Sequence, residues 1–260
     1  GVYTENFRFT GPIQPVPLDV NCYAILFGVA DGQKSKRILE YTRQNMWCPF
    51  GSATLDKKVE QVRIQPDLHC YPLYDKIRNS ADQEKAALSL MYPHNKQVWP
   101  FINGYEVEAR FVSGDVNGAL ELIHRCWGNP AYRETESFWE MFDIDAQEFA
   151  PRSIALGNKD DCVNSAAHGW SGWVSHLMQT YFLGIRPAAP GFTKTLIHPM
   201  SGPLQHRRGA MPTPLGIIRV EIDKTDDTYT LHVTKPAGIE ILTNITEREA
   251  GGRQVVVSEN

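Results

Sequence analysis

The heptapeptide Ser137-Phe138-Trp139-Glu140-Met141-Phe142-Asp143 sets one carboxylate, Glu140, directly after an indole and between two phenyl rings. A carboxyl group in that company is partly desolvated, which suits proton-transfer chemistry. A flat aromatic wall beside it suits sugar cleavage: the wall packs on the apolar face of a pyranose while the carboxylate moves a proton. A core segment with an acid at its edge has the same pattern. A second stretch, Asn164-Ser165-Ala166-Ala167-His168-Gly169-Trp170-Ser171-Gly172-Trp173, leads straight into an apolar helical stripe. His168 falls near the start of that helix, where an imidazole either caps it or offers a sugar hydroxyl both a donor and an acceptor. The small residues Ala166, Ala167, Gly169 and Gly172 let a neighbouring helix or a ligand approach closely. Five of the six tryptophans (Trp99, Trp127, Trp139, Trp170 and Trp173) crowd the middle of the chain, as a core or a carbohydrate cleft requires.

Composition narrows the classes. A chain of 260 residues makes one large domain, or a large one with a small one. A net charge of -4 speaks against nucleic acid as a partner. No apolar run is long enough to suggest a membrane span. The five cysteines (Cys22, Cys48, Cys70, Cys126 and Cys162) are odd in number and contain no C-x-x-C pair, so no zinc cage and no disulfide framework is signalled. No cofactor motif is present either. Cys22 and Cys126 sit among apolar residues of expected helices and read as buried thiols. Asn244-Ile245-Thr246 is a single, weak glycosylation pattern. The chain opens Gly1-Val2-Tyr3-Thr4 without a signal peptide or an initiator Met, which reads as a processed or truncated chain.

The elements that must position these residues are mostly helical. Helices are expected from Asp19 to about Gly32, over Lys34–Met46, Leu68–Ile77 and Ala81–Met91, and over Trp99–Phe111. Asp115 then caps a helix whose buried face is Val116, Ala119, Leu120, Ile123 and Trp127. The clearest stripe is Val174, Leu177, Met178, Tyr181, Phe182 and Ile185, closed by Gly184 and Pro187. The pattern changes to β beyond the rigid Pro187–Gly191 linker, with strands at Thr193–His198, Gly216–Ile222, Tyr229–Thr234 and Ile239–Thr243. The expected architecture is therefore mainly α with a β C-terminal domain: residues 1–190 helical, and 191–260 a small antiparallel β-sandwich.

Several motifs occur in a telling order. They are Trp99-Pro100-Phe101, then a Gly118-Ala119-Leu120-Glu121-Leu122-Ile123 helix ending in Cys126-Trp127-Gly128. Phe138-Trp139-Glu140 and His168-Gly169-Trp170-Ser171 follow, then Leu183-Gly184-Ile185-Arg186-Pro187 with Pro190-Gly191-Phe192. With the tail Met211-Pro212-Thr213-Pro214-Leu215-Gly216-Ile217-Ile218, this order resembles the α-L-rhamnosidases of glycoside hydrolase family 78. The resemblance covers nearly the whole chain and is most specific from Trp99 to Gly216. It implies part of an (α/α)6 barrel followed by the β-sandwich that closes those enzymes, and inverting hydrolysis of a terminal α-L-rhamnose. By the same resemblance Glu140 is the general base, and His168 and Trp99, with Trp139 beside them, line the rhamnose subsite. The partners it implies are a rhamnoside and the N-terminal remainder of the same enzyme.

Two departures qualify it. The family's acidic motif carrying the general acid has no match in residues 1–98, and Arg133-Glu134-Thr135-Glu136-Ser137 stands where Gly-Ala-Thr-Thr is usual. Six or seven helices also make only about half of such a barrel, so the chain alone is expected to hydrolyse little, with Glu106 and Glu108 the first acids to suspect otherwise. Two rival readings stand beside this one. The first is another enzyme on the same barrel, a different exo-glycosidase or a polysaccharide lyase. The second is a non-catalytic carbohydrate-binding remnant, which would bind rhamnose and release none.

Overall fold

The computed structural model describes residues 1–4, 14–57, 79, 81–82, 97–128, 136–143, 165, 167–200 and 202–260. The expected helices at 68–77 and 83–91, together with Cys70 and Cys162, lie outside the described residues. The chain divides into two compact units, residues 1–113 with 118–173, and residues 114–117 with 174–260.

The first unit is built on helices α1 (Leu18–Leu26), α2 (Gly32–Asn45), α3 (Pro100–Val112) and α4 (Val116–Trp127). Leu18, Cys22 and Ile25 recur at helical spacing on α1, and their buried side chains meet Ile38 and Leu39 of α2 and Ala109 of α3 in one core. The Asp31 carboxylate caps α2 by accepting the Lys34 N–H at 2.6 Å. Pro100 opens α3, where its missing N–H costs nothing. Cys22 and Cys126 are free, buried thiols, and burial pushes both up.

A buried ion pair ties α3 to its neighbours. Glu106 Oε1 accepts from the Thr42 hydroxyl at 2.8 Å, from the Trp47 indole N–H at 2.8 Å and from Arg110 Nη2 at 2.5 Å. Arg110 also donates to the Leu39 carbonyl at 2.9 Å and lies 4.5 Å from the centre of the Trp47 ring. A buried carboxylate with this many donors is a structural anchor. Glu108 is half-buried on the same helix.

The stripe expected from Val174 to Ile185 as one long helix is instead two short turns of different pitch, preceded by a third, and a strand. Gly169–Trp173 is a 3-10 turn, Val174–Leu177 (α5) is α-helical, and Met178–Phe182 is a π turn, which ends where the Leu183 N–H donates to the Met178 carbonyl at 2.9 Å. Ile185 belongs to a strand. The reason is Gly184, whose φ of 76° turns the backbone against His198: a Cβ there would lie 2.2 Å from the His198 carbonyl carbon. The apolar stripe was real, but Ile185 serves a sheet.

That sheet and a second one make the rest of the second unit. Strands β5 (Ile185–Pro187), β6 (Lys194–Ile197) and β10 (Glu240–Thr243) form one sheet; β7 (His206–Thr213), β8 (Gly216–Lys224), β9 (Thr228–Thr234) and β11 (Gln254–Glu259) form the other. The β6–β10 and β9–β11 pairs are parallel, so both sheets are mixed and the expected all-antiparallel pairing is corrected. Each parallel partner returns after a long excursion rather than a hairpin, as parallel pairing demands. Strand β7 carries Gly209 and Pro212, which a sequence reading takes as breakers; it is an edge strand, where Pro is tolerated.

Alternation on β8 and β9 buries Ile218, Val220, Ile222, Tyr229, Leu231 and Val233. On the same side Arg207 (2.5 Å), Lys224 (3.1 Å) and the Tyr229 hydroxyl (3.3 Å) all converge on Glu249 Oε1, from the short helix α6 (Glu247–Ala250). Burial lowers Arg207 and Lys224 and raises the Tyr229 phenol.

Glu249→Ala leaves Arg207 and Lys224 facing each other without their carboxylate, and is expected to cost about 3–5 kcal/mol in urea unfolding followed by far-ultraviolet circular dichroism. Glu249→Gln, which keeps an acceptor, should cost less; equal losses would refute the charge argument. A second expectation concerns alkaline pH. Burial pushes the Tyr41 phenol, which donates to Asp56 at 2.6 Å, up to about 12. Because the folded value exceeds the ordinary phenol value of 10.0, its contribution is whole below pH 10.0 and is lost as pH rises through about 12. Phenolate absorbance in wild type and Tyr41→Phe checks this: one phenol, titrating at about 12, should be missing from the variant.

Candidate functional site

All the residues singled out for chemistry lie in the first unit. Two short strands frame them. Strands β3 (Gln97–Val98) and β4 (Phe142–Asp143) pair antiparallel, with Val98 opposite Phe142. Trp99 immediately follows β3 and Glu140 stands two residues before Phe142, so one small ribbon brings both to the same end. Val98 also bridges Ala53, next to the hairpin of β1 (Trp47–Cys48) and β2 (Gly51–Ser52).

Asn103 locks this arrangement. It is fully buried. Its carboxamide accepts the Ser52 N–H at 2.7 Å and donates to the Ser52 and Trp99 carbonyls, each at 2.9 Å. The amide therefore completes the edge of β2 and holds the start of α3. Gly51, at a φ of 133°, leaves room for it: a Cβ there would lie 2.8 Å from Asn103 Oδ1.

Glu140 is held on both sides by Ser165. Its backbone N–H donates to the Ser165 carbonyl at 2.9 Å, and its Oε2 accepts the Ser165 N–H at 2.9 Å. Two residues earlier the Phe138 carbonyl accepts the His168 N–H at 2.7 Å. The segments 138–140 and 165–168 thus run side by side, and this places His168 Nδ1 3.9 Å from Glu140 Oε2. That separation is too long for a hydrogen bond and short enough for direct electrostatic coupling. The carboxylate side chain is 16% exposed and the imidazole 23%. His168 Nε2 and Ser171 Oγ are shielded atoms without a hydrogen-bond partner among the described residues. Shielded polar atoms of this kind are met by water or by a ligand.

The four expected site residues fall in different environments. Glu140 and His168 come together. Trp99 caps α3 on the ribbon, with its indole N–H donating to Gln97 Oε1 at 3.0 Å. Trp139 is 2% exposed and packs with Val98 and Cys126. The sequence offered no sign of Ser165 as the partner of Glu140, because a backbone amide has no signature. Trp170, noted in the sequence among the crowded tryptophans but not as a subsite residue, meets the His168 imidazole edge-on at 5.0 Å. In the second unit His206, Glu221 and Asp223 lie within 4.8 Å of one another on adjacent strands. His206 and Asp223 are cross-strand partners in contact at 2.6 Å, which an exposed hydrogen bond accounts for.

Comparison with known proteins agrees with the resemblance read from the motifs. Residues 184–258 match the family described as the bacterial alpha-L-rhamnosidase C-terminal domain. A curated alpha-L-rhamnosidase of Alteromonas sp. (strain LOR) is 34% identical over 88 residues, covering 34% of this chain and 10% of that protein. Among solved structures, the family 78 rhamnosidase of Bacillus sp. GL1 superposes on 98% of this chain and 29% of its own, with a TM-score of 0.52 and 18% identity. The Streptomyces avermitilis alpha-L-rhamnosidase complexed with L-rhamnose is also similar, at a TM-score of 0.44 and 19% identity over 55% of this chain and 14% of that one. The chain thus spans well under a third of the length of these relatives. The likeness to family 78 α-L-rhamnosidases rests on sequence in the C-terminal part and on fold across the chain.

Asn103→Ala removes the carboxamide partner of the Ser52 N–H and carbonyl at a buried position, while the Trp99 carbonyl keeps the backbone N–H of residue 103. It is expected to cost at least about 2 kcal/mol in denaturant unfolding and to shift the tryptophan fluorescence as Trp99 loosens. A loss under about 0.5 kcal/mol would show that water replaces the carboxamide.

Proposed function

We propose that the chain is the C-terminal part of an (α/α)6-barrel catalytic domain, with its closing β-sandwich, from an inverting α-L-rhamnosidase. Residues 1–190 form the barrel part and 191–260 the β domain. The substrate is a terminal α-L-rhamnoside, and Glu140 is the general base. The observation that carries this reading is the fixed Glu140–His168 pair, in which Ser165 grips one carboxylate oxygen and an imidazole stands alongside with a shielded Nε2 that has no partner among the described residues.

In this mechanism the Glu140 carboxylate takes a proton from a water molecule. The water oxygen attacks the anomeric carbon from the face opposite the departing oxygen. An acid supplied from the upstream part of the enzyme protonates that leaving oxygen. Base and acid then stand roughly 6.5–9.5 Å apart, leaving space for the water. His168 and Trp99 line the rhamnose subsite, His168 through hydrogen bonds to sugar hydroxyls. Trp139 serves from behind, by fixing the backbone that carries Glu140.

The test uses two measurements. Calorimetric titration of the chain with L-rhamnose should detect binding that His168→Ala abolishes. In the enzyme carrying the upstream part, Glu140→Gln should lower kcat on an aryl α-L-rhamnoside by at least about 10²–10⁴-fold while KM stays near wild type. A Glu140→Gln enzyme that keeps most of its kcat excludes the base. Rhamnose binding without turnover in the extended enzyme would instead favour a carbohydrate-binding role.

A further inference from the structure

An unbroken series of rings leads away from His168 within the first unit. Trp170 touches the imidazole, and Phe101 lies 5.1 Å from Trp170 and 5.2 Å from Tyr105, centroid to centroid. Trp173 meets Tyr105 edge-on at 4.4 Å. Tyr23 of α1 continues the series, 4.6 Å from Tyr105 and 5.9 Å from Phe27. The geometry follows from sequence spacing: Phe101 and Tyr105 are four apart on α3, and Tyr23 and Phe27 four apart at the end of α1, so each pair shares a helix face. Gly104 completes it, since a Cβ there would lie 2.7 Å from the Trp173 ring.

The series is open at both ends, Trp170 being 61% exposed and Phe27 78% exposed. The rings between them are half-buried. Large aromatic faces left in water mark a binding surface. Their type selects the ligand. A sugar ring pairs an apolar C–H face with a polar rim, and an aromatic face with phenol hydroxyls nearby, such as those of Tyr23 and Tyr105, complements both. A hydrocarbon tail would call for an enclosed, dry groove.

We infer that this aromatic track binds the oligosaccharide to which the terminal rhamnose is attached, so that the substrate is a glycan chain rather than a rhamnoside of a small aglycone. The inference rests on the rhamnose subsite at Glu140 and His168, with which the track is continuous through Trp170.

The experiment compares affinities of residues 1–260 for L-rhamnose, a rhamnose-terminated hexasaccharide and the same glycan without its rhamnose. Wild type should bind the hexasaccharide at least about 10-fold more tightly than rhamnose, and Phe27→Ala and Trp170→Ala should each lower hexasaccharide affinity about 2- to 10-fold. Phe27→Ala should leave rhamnose binding unchanged, and Phe27→Tyr, which keeps the ring, should restore the hexasaccharide. Equal affinity for rhamnose and hexasaccharide overturns the track, as does a hexasaccharide affinity that neither alanine variant alters. So does a concentration-dependent dimer that Phe27→Ala dissolves without any effect on glycan. Ring-dependent binding of the rhamnose-free glycan, with no binding of rhamnose itself, upholds the track and removes the rhamnose subsite instead.

Discussion

The site depends on a pair of backbone segments held edge to edge. Glu140 cannot be presented half out of water on a free loop, because a desolvated carboxylate relaxes toward solvent unless its backbone is fixed. Ser165 supplies that restraint twice, through its carbonyl to the Glu140 N–H and through its N–H to the carboxylate. The neighbouring bond from the His168 N–H to the Phe138 carbonyl sets the imidazole beside the carboxylate. One oxygen of Glu140 is committed to an amide, which orients the other. A charge-assisted bond from a backbone N–H is also shorter and stronger than a neutral one, so it resists rotation of the side chain.

Behind this pair stands a frame that tolerates little slack. Trp139 packs with Val98 and Cys126, and the Trp127 indole N–H donates to the Ser171 carbonyl at 2.7 Å, tying α4 to the turn that follows His168. Asn103 does the same work at the start of α3 by satisfying backbone groups of β2 and Trp99 with one carboxamide. Deeper in the unit, Glu106 and Arg110 gather Thr42, Trp47 and the Leu39 carbonyl around one buried ion pair. Such a network is costly to break, because removing any one member leaves a buried partner unsatisfied. The second unit repeats the device in a β context, with Glu249 as the common acceptor for Arg207, Lys224 and Tyr229.

The helices of the first unit were legible from the sequence because their signals are local. Leu18, Cys22 and Ile25, or Ile38, Leu39 and Thr42, mark a buried face by spacing alone, whereas Asp31-Gly32, read as the end of the first helix, begins the second: α1 ends at Leu26 and Asp31 caps α2. The strands β8 and β9 were legible for the same reason, through alternation. What escaped was set by distant partners. Val174 to Ile185 has a faultless helical stripe, yet the close approach of His198 to Gly184 turns the chain and hands Ile185 to a sheet. Strand β7 escaped because its Gly and Pro read as breakers until its edge position is known. The parallel pairings of β6 with β10 and of β9 with β11 join segments far apart in the chain, and no local pattern encodes which pairs form.

The site shows the same division. Glu140 and His168 stood out in the sequence because an acid among aromatics and an imidazole among glycines are unusual company. Their residue types alone determined which chemistry was available. Distance, shielding and partners were settled by tertiary structure, since the 3.9 Å between Glu140 and His168 depends on how two remote segments pair. Trp99 and Trp139 were alike as letters in a Trp-rich region. One became a half-buried cap on a ribbon and the other a core side chain, because burial belongs to the packed fold and not to the residue.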